Sequence, residues 1–193
     1  SRVKPPLRIG IPPMLSTVFF PELLTAFHQD HPEIAVMLEE YGSVRACDLV
    51  QNDTLDLALV NMEQYNIDKF HNVVLANDQV VFCVNKDHRL ADKEIVTTKE
   101  MSKELLIFFN ADSVQNQLLK TRFEMDGYIP NIVMRSSQIY TTLQFIKTGK
   151  YSCFLYSSML DKFTDSEITG IPLNPPIHIK IGMIWKKGKY ISG

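Results

Sequence analysis

Twice along this chain a strand-like run gives way to an amphipathic run, a second strand, a second amphipathic run and a third strand. No other feature narrows its folds as much, because strands separated by helix-length runs pair in parallel through right-handed crossovers. In the first half "LRIGI" is a short apolar strand, and "PELLTAFHQDH" spaces Leu23, Leu24 and Phe27 at helical intervals until Pro32 stops it. "IAVMLEEY" sets Ile34, Val36 and Leu38 on one strand face, "SVRACDLVQND" is a short helix, and "LDLALVN" is the next strand. A first lobe closes by about Met62.

Two β-branched runs follow, "NVVLA" and "QVVFCVN", with "ND" between them. The second half opens on "TTKE", a capping-box pattern, then on the strand "LLIFF" and the helix "DSVQNQLLKTRFEMDG", closed by Gly127. The strand "NIVMR", the helix "SSQIYTTLQFIKTG" ended by Gly149, and the strand "SCFLYSS" complete the second alternation. Last come "ITGIPL" and "IHIKIGMIWKK", where Ile177, Ile179, Ile181, Met183 and Trp185 alternate as an antiparallel return. The expected architecture is α/β: two Rossmann-like lobes with a ligand cleft between them. Residues 1–81 and 158–193 are expected to form lobe I, and 82–157 lobe II. In open α/β sheets ligands bind outside the carboxyl ends of the strands, where helix starts and backbone amides converge.

Composition limits the function classes. With 20 Lys and Arg against 22 Asp and Glu, interspersed, the chain carries −2 and lacks the basic face that nucleic acid requires. The basic cluster from Lys186 to Lys189 reads as a solvated tail. The longest apolar run, around Val80 to Val84, is far short of the roughly 20 residues that cross a bilayer. The opening "SRVKPPLRIG" has no secretory apolar region, and Ser1 in place of Met implies a longer reading frame. Cys47, Cys83 and Cys153 are odd in number and lack ligand spacing, as expected of reduced, buried thiols in a cytoplasmic protein. His28, His31, His71, His88 and His178 show no metal spacing, no Gly-x-Ser-x-Gly or phosphate loop occurs, and Asp56 reads as a structural acid at a strand start. No catalysis, metal or cofactor is expected.

The order "LRIG", "FFPELLTAFHQDHPEIAVMLEE", "DTLDLALV", "VVFCVNKDHRLA", "FEMDGYIPNIVMRSS", "LQFIKTGKYSCFLYSS" and "IGMIWKKGKYIS" resembles the effector-binding domain of LysR-type transcriptional regulators nearly end to end. "DHRLA" stands where that family usually has Asp-His-Pro-Leu-Ala. Three departures bear on chemistry or turns: Tyr156 takes a proline's place, Asp53 stands where Gly is common, and Arg135 stands where an acid is frequent. An Asp tolerates the left-handed turn that Gly would make there.

The resemblance implies the type 2 periplasmic-binding-protein fold and a sensor: a small metabolite enters between the lobes and alters how a regulator tetramer sits on its operator. The DNA-reading winged helix-turn-helix domain and its linker helix are absent from these residues and are expected before them. An exported solute-binding protein of an uptake system is the alternative reading, and a thiol-based redox sensor a third.

The expected effector site joins two helix mouths. On the first side stand Met14, Leu15, Ser16 and Thr17, with Gly42, Ser43, Asn61 and Met62 at the rim. The first helix is expected to begin at Ser16 or Thr17, its unpaired amides suiting a carboxylate. On the second side stand Ser136, Ser137 and Gln138, one serine serving as a cap, with Arg135 as a bidentate fork and Tyr156 as a phenol donor or acceptor. Asp112 and Ser113 are expected to act as a cap only. By resemblance an antiparallel dimer joins Leu24, Phe27, Val36 and Leu38 of one subunit to Tyr140, Leu143 and Lys147 of the other.

Overall fold

The computed structural model describes residues 4–18, 20–63, 66–110, 113–163 and 165–188. The chain divides into two compact units, 1–76 with 180–193, and 77–179.

The first unit contains β1 (Leu7–Ile11), α1 (Pro13–Val18), α2 (Phe20–Asp30), β2 (Val36–Glu40), α3 (Ser43–Gln51), β3 (Leu57–Asn61) and the start of β4 (Phe70–Asn85). β1 lies between β2 and β3 and is parallel to both. Beyond β3 comes the return strand β9 (His178–Lys186), antiparallel, with Leu57 opposite Trp185 and Asn61 opposite Ile181. Alternation along β3 divides the unit's core. Ala58 and Val60 turn with Ile184 toward Ala46, Cys47 and Val50 of α3, each large aliphatic contributing about 1.5–3 kcal/mol by its burial. Leu57, Leu59 and Met183 line the space beside α2, where an apolar cavity of about 310 Å³ remains. The turn into β3 is made by Asp53 at φ 65°, the left-handed position expected of it. Arg8 holds that turn, donating to the Asp53 carbonyl (2.9 Å) and pairing with Asp56 (3.2 Å), so Asp56 is the structural acid anticipated.

The second unit contains the rest of β4, α4 (Thr98–Met101), β5 (Leu105–Phe108), α5 (Val114–Met125), β6 (Ile132–Arg135), α6 (Ile139–Lys147), β7 (Tyr151–Tyr156), α7 (Ser157–Phe163) and β8 (Ile168–Pro172). β5 runs parallel between β6 and β7, and β7 and β8 each pair antiparallel with β4. The Thr97–Glu100 capping box forms as expected. Gly127 and Gly149 follow α5 and α6 at φ 78° and 84°, a conformation that costs a side-chain-bearing residue but not glycine. In "DHRLA", His88 Nδ1 accepts from the Leu90 amide (3.0 Å), which places the proton on Nε2 for Glu104 (2.9 Å). Arg89 pairs with the other oxygen of Glu104, so this motif is a structural clamp.

Three expectations change. "NVVLA" and "QVVFCVN" are one strand, β4, because Asp78 finds partners inside the fold: the Gln79 amide and the amide and hydroxyl of Ser158. The segment after β7 is a helix followed by β8, which pairs with β4 at Val81–Asn85, so the return to the first unit comes at Lys180 and the outward crossing at Ala76. The basic cluster is tied down in part, Lys186 to Asp53 (2.9 Å) and Lys187 to the Asp68 carbonyl (2.6 Å), while Lys189 lies outside the described residues.

All three cysteines are free and buried. Burial pushes the Cys47 thiol up to about 12. A hydrogen bond with Cys83, together with burial, raises that of Cys153. Because all three are shielded by burial, iodoacetamide near neutral pH should leave them unmodified in the folded chain and alkylate all three in denaturant. Labelling or mild oxidation of any of them before unfolding would restore the redox-sensor reading.

Candidate functional site

In the first unit the chain leaves β1 at Ile11 and enters α1 at Pro13, not at Ser16 or Thr17. Proline at the first helical position is favoured because its fixed φ suits the helix and its missing N–H would lack a partner anyway. The amides of Leu15 and Ser16 both donate to the Pro12 carbonyl (3.0 and 3.3 Å). Ser16 therefore lies inside the helix, its hydroxyl donating to the Pro13 carbonyl (2.8 Å). With Pro12 and Pro13 lacking N–H groups and two further amides engaged, this mouth is poorer in donors than its position suggested. Met14 and Leu15 are buried, and the side chain of Thr17 lies outside the described residues.

Gly42, Ser43, Asn61 and Met62 do come together. Gly42 precedes the first turn of α3 without a side-chain cap. The Ser43 hydroxyl accepts from the Asn61 amide (2.9 Å), and Asn61 Oδ1 accepts from Glu63 (3.1 Å). Met62 is buried with its sulfur over Gly182, where a β-carbon would stand 2.2 Å away. The unforeseen cavity beside α2 is lined by Leu7, Ile9, Leu24, Phe27 and Leu59 among others, with His31 its one polar side chain. Such a lining does not suit an anion.

The second unit brings the carboxyl ends of three parallel strands side by side: Phe108 of β5, Arg135 of β6 and Tyr156 of β7. Tyr156 is buried, opposite Val80. The Ser136 amide donates to the Phe108 carbonyl (2.9 Å), and the Ser136 hydroxyl accepts from the Gln138 amide (3.1 Å). Ser137 is half-buried beside it. α6 thus begins at Ile139 after Gln138, which provides no side-chain cap, so neither serine caps the helix. Arg135 is exposed and donates through Nη1 to the Phe109 carbonyl (3.3 Å). Among the described residues no carboxylate pairs with it.

Sequence reasoning missed Asn116. The cap of α5 is Ser113, accepting from the Asn116 amide (3.4 Å), one residue later than the Asp-x-x-Gln pattern places it; Asp112 itself lies outside the described residues. The Asn116 side chain then closes on the strand end, accepting from the Phe109 amide (3.2 Å) and donating to the Phe109 and Asn110 carbonyls (2.7 Å each). Its place as the third residue of a helix after a Ser was the available signal. Of the residues expected at a dimer contact, Leu38 and Tyr140 are 41% and 73% exposed, while Leu24, Phe27 and Val36 are half-buried. Leu143 is buried in its own unit at 3% exposure, since α6 turns it inward, and Lys147 is held by Asp165 (2.6 Å), whose hydrogen bond raises the lysine's pKa.

The family profile described as the LysR substrate binding domain matches residues 1–193. The chain belongs to that family. It is similar to the HTH-type transcriptional regulator YwbI of Bacillus subtilis, 29% identical over 187 residues that cover 96% of this chain and 62% of YwbI. The LysR chain thus spans less than two thirds of that relative's length. Its fold is similar to that of the Synechocystis PCC6803 CcmR regulatory domain, solved in complex with 2-PG (TM-score 0.84, 22% identity, 96% of this chain and 89% of that one). It is also similar to the effector-binding domain of QuiR, solved with shikimate (TM-score 0.79, 18% identity, 97% and 90%). The LysR domain therefore has the type 2 periplasmic-binding-protein fold. Among the described residues no helix is long and apolar enough to cross a membrane, and no group of three or more His, Cys, Asp or Glu stands together as a metal site.

Proposed function

We propose that this LysR domain senses a small organic acid and passes the signal to a DNA-binding domain elsewhere in the same cytoplasmic regulator. The observation that carries this reading is Arg135: a guanidinium at a strand's carboxyl end, with one backbone acceptor and no carboxylate partner among the described residues. Such a fork matches a carboxylate in two parallel hydrogen bonds. Ser136, Ser137, Gln138 and Tyr156 accompany it within the second unit. The likeness to domains solved with 2-PG and with shikimate, a carboxylate, supports the ligand class. The likeness to transcription regulators favours sensing over solute uptake and over catalysis.

A thermal-shift panel of mono- and dicarboxylates, shikimate included, tests this. An acid at about a hundred times its dissociation constant stabilises the fold by roughly 2.7 kcal/mol. A panel in which only neutral or cationic compounds raise the melting temperature would overturn the acid reading.

Partners follow the same reading: a dimer through α2 and β2 of one subunit and α6 of the other, a tetramer of the whole regulator, and operator DNA through the other domain. Leu38 and Tyr140 are exposed enough to be charged without unfolding the chain. Leu38→Glu and Tyr140→Glu should each convert a dimer to a monomer in light scattering, at unchanged melting temperature of the monomeric units. An unchanged mass for both variants would remove this interface. Leu143 cannot serve as this probe, because a charge there would break its own unit's core.

A further inference from the structure

We infer that Asn116 is a positioning residue of the acid site: it fixes the Phe109 carbonyl on which the Arg135 guanidinium rests, and so sets the direction in which that fork faces a ligand. The inference rests on the reading of Arg135 given above. Asn116 is 2% exposed and lies in the first turn of α5, a helix already capped by Ser113. Both N–H groups and the oxygen of its amide are engaged: Oδ1 takes the Phe109 N–H, and the two N–H groups of Nδ2 go to the carbonyls of Phe109 and Asn110. A side-chain amide has two donors and an acceptor, and here each is spent on the two residues that follow β5.

Grasping both the N–H and the C=O of Phe109 leaves the peptide plane after it little freedom to turn. The carbonyl so held receives Asn116 Nδ2 at 2.7 Å and Arg135 Nη1 at 3.3 Å, which together fill its two lone pairs. Among the described residues this carbonyl is the sole hydrogen-bonding anchor of the Arg135 side chain. Without Asn116 the plane can rotate, the acceptor swings away, and an exposed guanidinium with many rotamers must be ordered again when a ligand arrives. Arg45 provides the contrast within the chain: exposed, on α3, its guanidinium without a hydrogen bond among the described residues.

The test is ¹⁵N relaxation of the arginine Nε groups, with Arg135 assigned by the signal lost in Arg135→Lys and inorganic phosphate as the anion probe. In the wild-type chain Arg135 Nε is expected to be more ordered than Arg45 Nε, and phosphate is expected to shift it. Asn116→Ala should bring Arg135 to the mobility of Arg45 and weaken phosphate binding roughly 3- to 10-fold, the scale of coupling between groups that share a partner. Should that variant not fold, Asn116→Ser, which keeps one hydrogen-bonding group, carries the comparison. A wild-type Arg135 as mobile as Arg45 overturns the inference without any variant. So do Asn116 variants that lower the melting temperature yet leave both Arg135 order and phosphate affinity unchanged, since Asn116 would then be structural only. If Arg135 is ordered through Asn116 but phosphate leaves its signal in place, the acid site itself falls, on different evidence.

Discussion

Phe154→Ala is expected to destabilise the second unit by about 3–5 kcal/mol, the cost of emptying a large aromatic site in a packed core. Phe154 is 1% exposed on β7, opposite Phe82 of β4. Its ring centroid lies 5.4 Å from that of Phe82, and it meets Phe108 of β5 edge-on at 5.7 Å. These tilted and T-shaped contacts are the geometries that aromatic quadrupoles favour, adding about 0.5–1.5 kcal/mol each beyond burial. Three adjacent strands are thus joined through one side chain, and the surrounding backbone ladders leave the site little scope to collapse. For a chain of this size the loss corresponds to a fall of about 10 °C in melting temperature. Ile129→Ala, at a position 86% exposed, should stay within about 0.5 kcal/mol. Urea unfolding of both variants decides the matter; a Phe154→Ala loss no larger than that of Ile129→Ala would mean that the three rings are not the core of this unit.

Arg135→Gln should cost little stability and most of the affinity for an acid. The side chain is exposed and donates one 3.3 Å hydrogen bond, so the melting temperature of the unliganded chain should hardly move. A hydrogen bond to a charged group contributes about 1.5–3 kcal/mol, so a carboxylate that raises the melting temperature of the wild type should bind this variant roughly 10- to 100-fold more weakly. Arg135→Lys keeps the charge and loses the planar fork, and should fall between the two. Raising the salt concentration should narrow the gap between wild type and Arg135→Gln, since an exposed charge is screened. Calorimetric titration of an acid found in the thermal-shift panel measures all three proteins. Equal dissociation constants would show that the acid, if one binds, is held elsewhere.

The parts of this domain that could be read from sequence are those whose causes lie within a few residues. The Thr97–Glu100 box, the left-handed Asp53 and the positive-φ glycines after α5 and α6 each satisfy a local backbone requirement that few residue types meet. Strand and helix identities followed from periodicity, and their order implied parallel pairing in each half. Where local signals competed, tertiary partners decided. Asn77 and Asp78 are poor strand formers, yet Asp78 sits within β4 because Ser158, 80 residues away, takes its carboxylate. Ser16 has the chemistry of a cap but Pro13 starts the helix, so one of the two expected mouths is poorer in amide donors than its hydroxyls advertised.

The sequence by itself determined the alternation, the stops and the family, because each depends on residue type at fixed spacing. Only the tertiary structure decided which polar groups are spent on the protein and which remain for a ligand. Leu143 turns inward and Leu38 outward although both are leucines on amphipathic elements, since the direction of burial depends on what packs against each. Arg135 becomes a candidate ligand group, and Asn116 its support, through hydrogen bonds that join β5, α5 and β6 across 7 and 26 residues of chain. A hydrogen bond's partner is set by position in space, and no local pattern specifies which carbonyl a distant donor will meet.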